Sequence, residues 1–92
     1  MLNDDFKNML KLKIVSPQRI EFEGEVERVK APGELGQFEI LTGHAPIISL
    51  LTTGDVVYVT STGSHTVTVS GGFVEVQKNN VNFCVELADH AD

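Results

Sequence analysis

The histidine at position 44 is the side chain best suited to chemistry, because it stands in the sequence Gly-His-Ala-Pro at residues 43–46. A catalytic histidine needs a serine or cysteine partner and an orienting acid, and a zinc site needs three or four ligands. The other histidines, His65 and His90, are predicted to lie in a hairpin turn and at the chain end. We therefore predict that His44 hydrogen-bonds to the backbone inside a turn whose exit is fixed by Pro46.

A row of carboxylates is the second candidate for chemistry. Alternate residues of a strand lie roughly 6.5 Å apart on one face, so paired carboxylates could flank a glycosidic bond or bind a divalent cation. Ile20, Phe22 and Val26 occupy the positions between these acids and would face a core. We predict that the row forms a solvated, charged outer face that protects a strand edge. It comprises Glu21, Glu23, Glu25 and Glu27.

Two further features lack the partners that their chemistry requires. Cys84 is the sole cysteine, so the chain can form neither an internal disulfide nor a cysteine metal cluster. The Gly-Glu-Leu-Gly sequence at residues 33–36 has no following Lys and Ser or Thr, which a phosphate-binding loop needs. We predict an inert thiol and a tight turn with Glu34 at its tip. The sequence therefore predicts no catalytic residue, no metal site and no cofactor.

The composition limits the classes of partner. The chain has 92 residues and a net charge of -6, with seven basic residues among thirteen acids. Nucleic-acid binding depends on clustered Lys and Arg, so DNA and RNA are excluded as primary ligands. No apolar run approaches the ~20 residues of a membrane helix, and acids stand where a secretory signal needs positive charge. We expect one domain without direct membrane insertion.

Alternation of apolar and polar residues dominates the chain and predicts strands. It is clearest at residues 10–14, 20–27, 66–69 and 81–86. Short turn signals separate these runs, among them Gly71-Gly72, which also suggests a bulge or a close backbone approach. Residues 61–64 and 78–80 each stand between two such runs, which predicts two hairpins. The expected fold is an all-β, flattened antiparallel β-sandwich of about ten short strands.

The predicted domain spans residues 10–88. Residues 1–9 form either a loose tail or a turn of helix capped by Asn3, and residues 89–92 form a polar stub. No internal repeat, linker or low-complexity tract divides the chain, so we expect a single compact unit.

Three stretches, taken in order, resemble the epsilon subunit of F-type ATP synthases. They are "LKIVSP", "FEGEVERVKAPGELGQFEILTGHAPIISLLTTGDV" and "VSGGFVEVQKNNVNF". The most specific part is Gly-Glu-Leu-Gly, followed after six residues by Gly-His-Ala-Pro, with Ser-Gly-Gly-Phe-Val-Glu-Val downstream. The resemblance runs from about Leu10 to Ala88 and implies the N-terminal β-sandwich domain of that family.

The resemblance also implies a function. The family's domain has no catalysis of its own and sits peripherally at the cytoplasmic face of the membrane, at the foot of the central stalk. It binds the gamma subunit and the polar loops of the c-ring, so that proton-driven rotation is coupled to ATP synthesis. By motif position, Glu34, Leu35 and His44 would face the c-ring, whereas Ser16 and Ser49 would face gamma.

The resemblance ends near the C-terminus of this sequence. Many epsilon subunits continue into a two-helix hairpin that inhibits ATP hydrolysis and in some members binds ATP. The sequence stops at Asp92, about where that hairpin would begin, either naturally or by truncation. We expect the 92 residues by themselves to do neither.

Two other functions remain open from the residues. One is a free-standing β-sandwich that binds a ligand, which would need a deep pocket lined by aromatic side chains. The other is a small hydrolase that uses His44 or the glutamate row. The ordered motifs and the missing catalytic constellation favour the rotor subunit over both.

Overall fold

The computed structural model describes residues 9–88. Within this range the chain forms eight strands and no helix, which confirms the all-β prediction with slightly fewer strands than expected. The predicted helical turn near Asn3 and the polar stub at residues 89–92 fall outside the described range. In order, the strands are β1 (Leu10–Val15), β2 (Ile20–Val26), β3 (Arg28–Gly33), β4 (Gly36–Ile40), β5 (Ile47–Leu51), β6 (Gly54–Thr60), β7 (Gly63–Gln77) and β8 (Asn80–Leu87).

The strands form one hydrogen-bonded sheet that folds over to make two layers. Its order is β2-β1-β8-β7-β5-β3-β4, and β6 pairs with both β3 and β7. Every pairing is antiparallel except that of β1 with β8, which is parallel. Strands β2 and β6 do not pair, yet the ring centroids of Phe22 and Tyr58 lie 4.3 Å apart. These two strands therefore face each other across the sandwich.

The space between the layers is filled by apolar side chains. Val74 and Phe83 are fully buried, and Phe22 packs against the core while remaining partly exposed. Burying each aliphatic or aromatic side chain contributes about 1.5–3 kcal/mol relative to leaving it in water. The buried set is Leu10, Leu12, Ile14, Val26, Val29, Ala31, Ile40, Leu51, Val56, Tyr58, Val69, Val74, Val76, Val81, Phe83 and Val85.

The longest strand, β7, joins the two layers. It runs for 15 residues because Gly71 and Gly72 do not end it. Instead, the register with β8 shifts between Val69 and Gly71, which is the bulge that the sequence suggested. The first half of β7 pairs with β6 and the second half pairs with β5. This continuous strand accounts for part of the difference between the expected and the observed strand number.

A second irregularity lies between β1 and β2. Ile14 pairs with Phe22, but Val15 pairs with Ile20, so Glu21 is an extra residue in β2. The prediction that Ile20 faces the core is wrong, because the bulge turns it outward and leaves it 51% exposed. Glu23 and Glu25 stand opposite Lys13 and Lys11, as a charged outer face predicts, whereas Glu21 is the extra residue of the bulge and its side chain is only 15% exposed.

Both predicted hairpins are confirmed. Strands β6 and β7 are joined by Ser61 and Thr62, and β7 and β8 by Lys78 and Asn79. Both residues of the second turn have positive φ, 51° and 64°, as a type I′ hairpin requires.

The expectation that His65 lies in the turn itself is wrong, since it belongs to β7. Its ring stacks on Tyr58 at 5.3 Å between centroids, and its Nε2 atom lies 3.1 and 3.2 Å from the hydroxyl oxygens of Thr60 and Thr62. Burial raises the pKa of the Tyr58 phenol above its ordinary value. These contacts make His65 part of the packing at the end of the β6–β7 hairpin.

The two adjacent glycines of β7 predict a contrast in stability. A Cβ atom at Gly72 would lie 2.2 Å from the carbonyl oxygen of Cys84, and its φ of 128° disfavours any side chain. We expect Gly72→Ala to lower the free energy of unfolding by more than about 2 kcal/mol. Chemical denaturation monitored by circular dichroism measures this loss.

Gly71→Ala is the matched control. The nearest atom to its added Cβ is 4.0 Å away and its φ is not positive, so we expect a loss below about 1 kcal/mol. Equal losses for the two variants would contradict the assigned role of Gly72.

Candidate partner interface

An apolar row crosses the outer face of one layer. It consists of one outward-facing residue from each of five neighbouring strands, brought side by side by the strand register. In order across the sheet these residues are Leu50, Phe73, Cys84, Val15 and Ile20, and we call them the apolar row. With strands about 4.8 Å apart, the row is roughly 19 Å long. Leu50, Phe73 and Ile20 are 57%, 42% and 51% exposed. Contiguous exposed apolar surface of this kind marks an interaction site.

Polar rows lie beside the apolar row on the same face. The next row contains Glu75, Asn82, Lys13 and Glu23, and the one beyond it contains Gln77, Asn80, Lys11 and Glu25. The lysines of β1 stand directly opposite the glutamates of β2, which is a favourable cross-strand arrangement. The outer face therefore combines an apolar strip with a charged flank, as protein interfaces do.

The Gly-Glu-Leu-Gly turn borders one end of the apolar row. Glu34 and Leu35 form a two-residue connection between β3 and β4, which confirms the predicted tight turn. Gly36 supplies a φ of 132° where the chain enters β4. The backbone N–H of Glu34 donates to the carbonyl of Leu50 at 3.0 Å. Leu35 is fully exposed, so the turn extends the apolar surface at the Leu50 end.

An open groove lies between this turn and β5. Phe38 is its one aromatic residue, and Ile47 and Ile48 line the opposite side. Binding pockets for small molecules are usually enclosed and lined by several aromatic side chains. The groove therefore gives little support to the ligand-binding alternative, whereas it suits contact with another protein.

Ser16 lies at the opposite end of the apolar row, in the turn between β1 and β2. Its hydroxyl donates to the Glu21 carboxylate at 2.8 Å and accepts from the backbone N–H groups of Gln18 and Arg19 at 3.3 and 3.4 Å. The Glu21 side chain is only 15% exposed, and Arg19 lies 3.9 Å from its carboxylate. These bonds give Ser16 a structural part in shaping the Ile20 end of the row.

Ser49 occupies the inner side of β5. It pairs with the buried residue Val74, and its hydroxyl donates to the carbonyl of Leu50 at 3.3 Å. The structure therefore places Ser16 and Ser49 near opposite ends of the apolar row, but neither hydroxyl belongs to it.

His44 lies in the loop between β4 and β5. The distance from its Nδ1 atom to the carbonyl oxygen of Ala45 is 2.8 Å, which confirms that the imidazole bonds to the backbone within the turn. Its ring centroid is 6.5 Å from that of Phe38. The Phe38 ring also lies against Gly33. Phe38 thus lies between the His44 loop and the Gly-Glu-Leu-Gly turn.

The remaining candidates for chemistry stay apart. Among residues 9–88, no group of three or more His, Cys, Asp or Glu side chains converges on a possible metal position. Cys84 is a free thiol in the middle of the apolar row. The same range contains no helix that is long and apolar enough to cross a bilayer.

Sequence reasoning did not find the apolar row, although one signal for it was present. The segment Ile47–Leu51 is apolar on both faces of the strand, with Ile48 and Leu50 alternating with Ile47 and Leu51. A strand of that kind needs cover on both sides. The other members come from distant segments, and only the register brings them together.

The fold and this surface define an all-β sandwich domain with an apolar strip suited to binding another protein. The family described as the β-sandwich domain of the ATP synthase delta/epsilon chain matches residues 9–91. The chain is 36% identical over 85 residues to an ATP synthase epsilon chain of Endomicrobium trichonymphae, covering 92% of this chain and 62% of that protein. It is 41% identical over 83 residues to one of Nitratidesulfovibrio vulgaris, covering 90% of this chain and 62% of that protein.

Two solved structures share the fold at low identity. One is a chain in the Euglena gracilis mitochondrial ATP synthase, described as OSCP/F1/c-ring, with a TM-score of 0.81 at 19% identity. The match covers 91% of this chain and 56% of that chain. A chain in the Tetrahymena thermophila central stalk and c-ring has a TM-score of 0.68 at 15% identity, covering 84% and 63%. The chain belongs to the family of ATP synthase delta/epsilon β-sandwich domains, and it spans about three-fifths of the curated relatives' length.

The two serines predict different effects on stability. We expect Ser16→Ala to lower the free energy of unfolding by about 0.5–2 kcal/mol, because it removes three hydrogen bonds and leaves the Glu21 carboxylate without its hydroxyl donor. Ser49→Ala, which loses one hydrogen bond of 3.3 Å, should change it by less than about 0.5 kcal/mol. Denaturant titration of both variants measures the difference, and a larger loss for Ser49→Ala would show that Ser16 does not shape its turn.

Proposed function

We propose that this domain is a non-catalytic part of the rotor of an F-type ATP synthase. It binds the gamma subunit and the polar loops of the c-ring, and it couples proton-driven rotation to ATP synthesis from the cytoplasmic side of the membrane. The observation that carries the proposal is the apolar row, which remains exposed on a domain of the ATP synthase epsilon family. The central-stalk and c-ring assemblies named for the similar structures also support it.

The apolar row is the proposed gamma side. Binding strength at such a contact comes mainly from apolar area, and a large aromatic side chain near the centre adds the most. Phe73 occupies such a position, with Leu50 on one side and Cys84 on the other. Ser16 and Ser49, which the resemblance assigns to gamma, flank this strip through their turn and strand.

The c-ring side is the end of the sandwich that carries the Gly-Glu-Leu-Gly turn. Glu34 and Leu35 are both exposed at its tip, and His44 lies beyond Phe38 on the same side of β4. An exposed ion pair with a basic loop residue contributes only about 0.2–1 kcal/mol. Glu34 therefore acts mainly in orientation, whereas Leu35 supplies apolar contact.

The proposal assigns no reaction to the domain. The imidazole and the backbone N–H of His44 bond to backbone carbonyls, and Glu23 and Glu25 stand directly opposite lysines of β1. A sandwich whose two layers are closed by the continuous strand β7 has few ways to deform. Such stiffness suits a part that transmits torque between two partners.

The gamma contact predicts the behaviour of Leu50. Leu50→Glu places a charge in the apolar row, so we expect it to weaken binding to the matching gamma subunit at least tenfold while the melting temperature changes little. Calorimetric titration measures the affinity. Cys84, the sole cysteine, provides a second readout, because gamma should slow its alkylation in the wild-type chain.

Thr66→Glu is the matched control, since Thr66 is exposed on the strand segment that pairs with β6 and lies away from the row. It should bind gamma like the wild type. A wild-type chain that forms no complex at micromolar concentration would contradict the proposed gamma contact, as would a Cys84 thiol that is alkylated equally fast in the complex.

The c-ring contact predicts the behaviour of Glu34. We expect Glu34→Lys to reduce ATP-driven proton pumping relative to ATP hydrolysis in the assembled enzyme, because it reverses the charge offered to the c-ring loops. The melting temperature of the domain should stay within error, since Glu34 is exposed at a turn. Thr66→Lys, which adds a positive charge on the strand segment that pairs with β6 and lies away from the apolar row, is the control and should leave pumping unchanged. Loss of folding in Glu34→Lys would make the residue structural.

A further inference from the structure

The loop that carries His44 is tied to the rest of the domain by a distant side chain. Residues 41–46 connect β4 to β5 without regular structure. Two hydrogen bonds of His44 are local, from its backbone N–H to the carbonyl of Leu41 at 3.1 Å and from its ring to Ala45. A third bond runs from the backbone N–H of Gly43 to the Oδ1 atom of Asn79, at 2.8 Å. Of these three, only the last joins the loop to another element.

Asn79 is well placed to act as an anchor. It is the second residue of the β7–β8 turn, and its backbone carbonyl accepts from the N–H of Lys11 in β1 at 2.9 Å. Its φ of 64° lies in the left-handed region, which Asn and Asp tolerate better than most residues. Few side chains can both tolerate this backbone conformation and offer a hydrogen-bond acceptor at this position. The main chain of Asn79 holds β1, and its side chain holds the loop.

We propose that Asn79 is a positioning residue, which holds the Gly-His-Ala-Pro loop in the shape that presents His44 to the partner. This inference rests on the proposed function, because it assumes that the loop meets the c-ring. The bond spans 36 residues of sequence and is exposed. This bond contributes little to the free energy of unfolding of the whole domain, so its loss should loosen the loop without unfolding the domain.

The first experiment measures the loop without a partner. Asn79→Gly keeps the positive φ but removes the acceptor, whereas Asn79→Asp keeps both. We expect the amide hydrogen of Gly43 to exchange about fivefold faster in Asn79→Gly and within about twofold of the wild type in Asn79→Asp. The Glu34 amide, which donates to Leu50, should be unchanged in both variants. An unchanged Gly43 amide in Asn79→Gly would overturn the inference.

The second experiment measures binding. Asn79→Gly should weaken binding to the assembled c-ring and gamma subunit by about threefold or more when His44 is present, and should have no further effect in a His44→Ala background. Lys78→Gly, in the same turn, controls for general loosening and should bind like the wild type. Equal losses with and without His44 would overturn the positioning role.

The two experiments separate the inference from the proposed function. If the wild-type chain fails to bind the assembly, the proposed function fails, and the exchange of the Gly43 amide still decides whether Asn79 holds the loop. If the wild-type chain binds and the exchange changes while the affinity does not, the positioning role is wrong and the proposed function stands.

Discussion

The close approach of Gly72 to the backbone of β8 is the constraint on which the architecture depends. A hydrogen atom is all that fits there, because a Cβ would meet the Cys84 carbonyl oxygen at 2.2 Å. That approach lets β7 pass the bulge near Gly71 and continue as one strand, pairing with β6 along its first half and β5 along its second. The two layers are thereby joined by a continuous backbone as well as by apolar packing. Closure of this kind explains how so short a chain, without a disulfide, encloses an apolar core.

The outer surface follows from the same strand pairings. Because side chains alternate between faces, a slip of one residue in any strand would exchange its outer and inner sets. The pairing of β7 with β5 sets Phe73 beside Leu50, and its pairing with β8 sets Phe73 beside Cys84. The β1–β2 bulge adds Ile20 by turning it outward. The apolar row is therefore a product of register, and it is as rigid as the sheet that carries it.

The proposed contacts are of two kinds, and neither of them involves a chemical reaction. In the proposed function, the apolar row supplies area and hence affinity, whereas the exposed Glu34 turn and the His44 loop supply orientation. The turn is tied to β5 by the bond from the Glu34 N–H to the Leu50 carbonyl, and the loop is tied to the β7–β8 turn by the bond from the Gly43 N–H to the Asn79 side chain.

Many of the strands and turns could be predicted from local sequence patterns. The alternation at residues 10–14 and 81–85 identified buried strands, and the turns at Glu34-Leu35 and Lys78-Asn79 followed from their glycine and asparagine content. The family motifs also indicated which turns carry the candidate residues. The parallel pairing of β1 with β8, the outward position of Ile20 and the apolar row were decided by the tertiary structure alone. The reason is that the alternation of apolar and polar residues lies within each strand and can be read from the sequence. The register between strands is set instead by packing and hydrogen bonds among residues far apart in the chain.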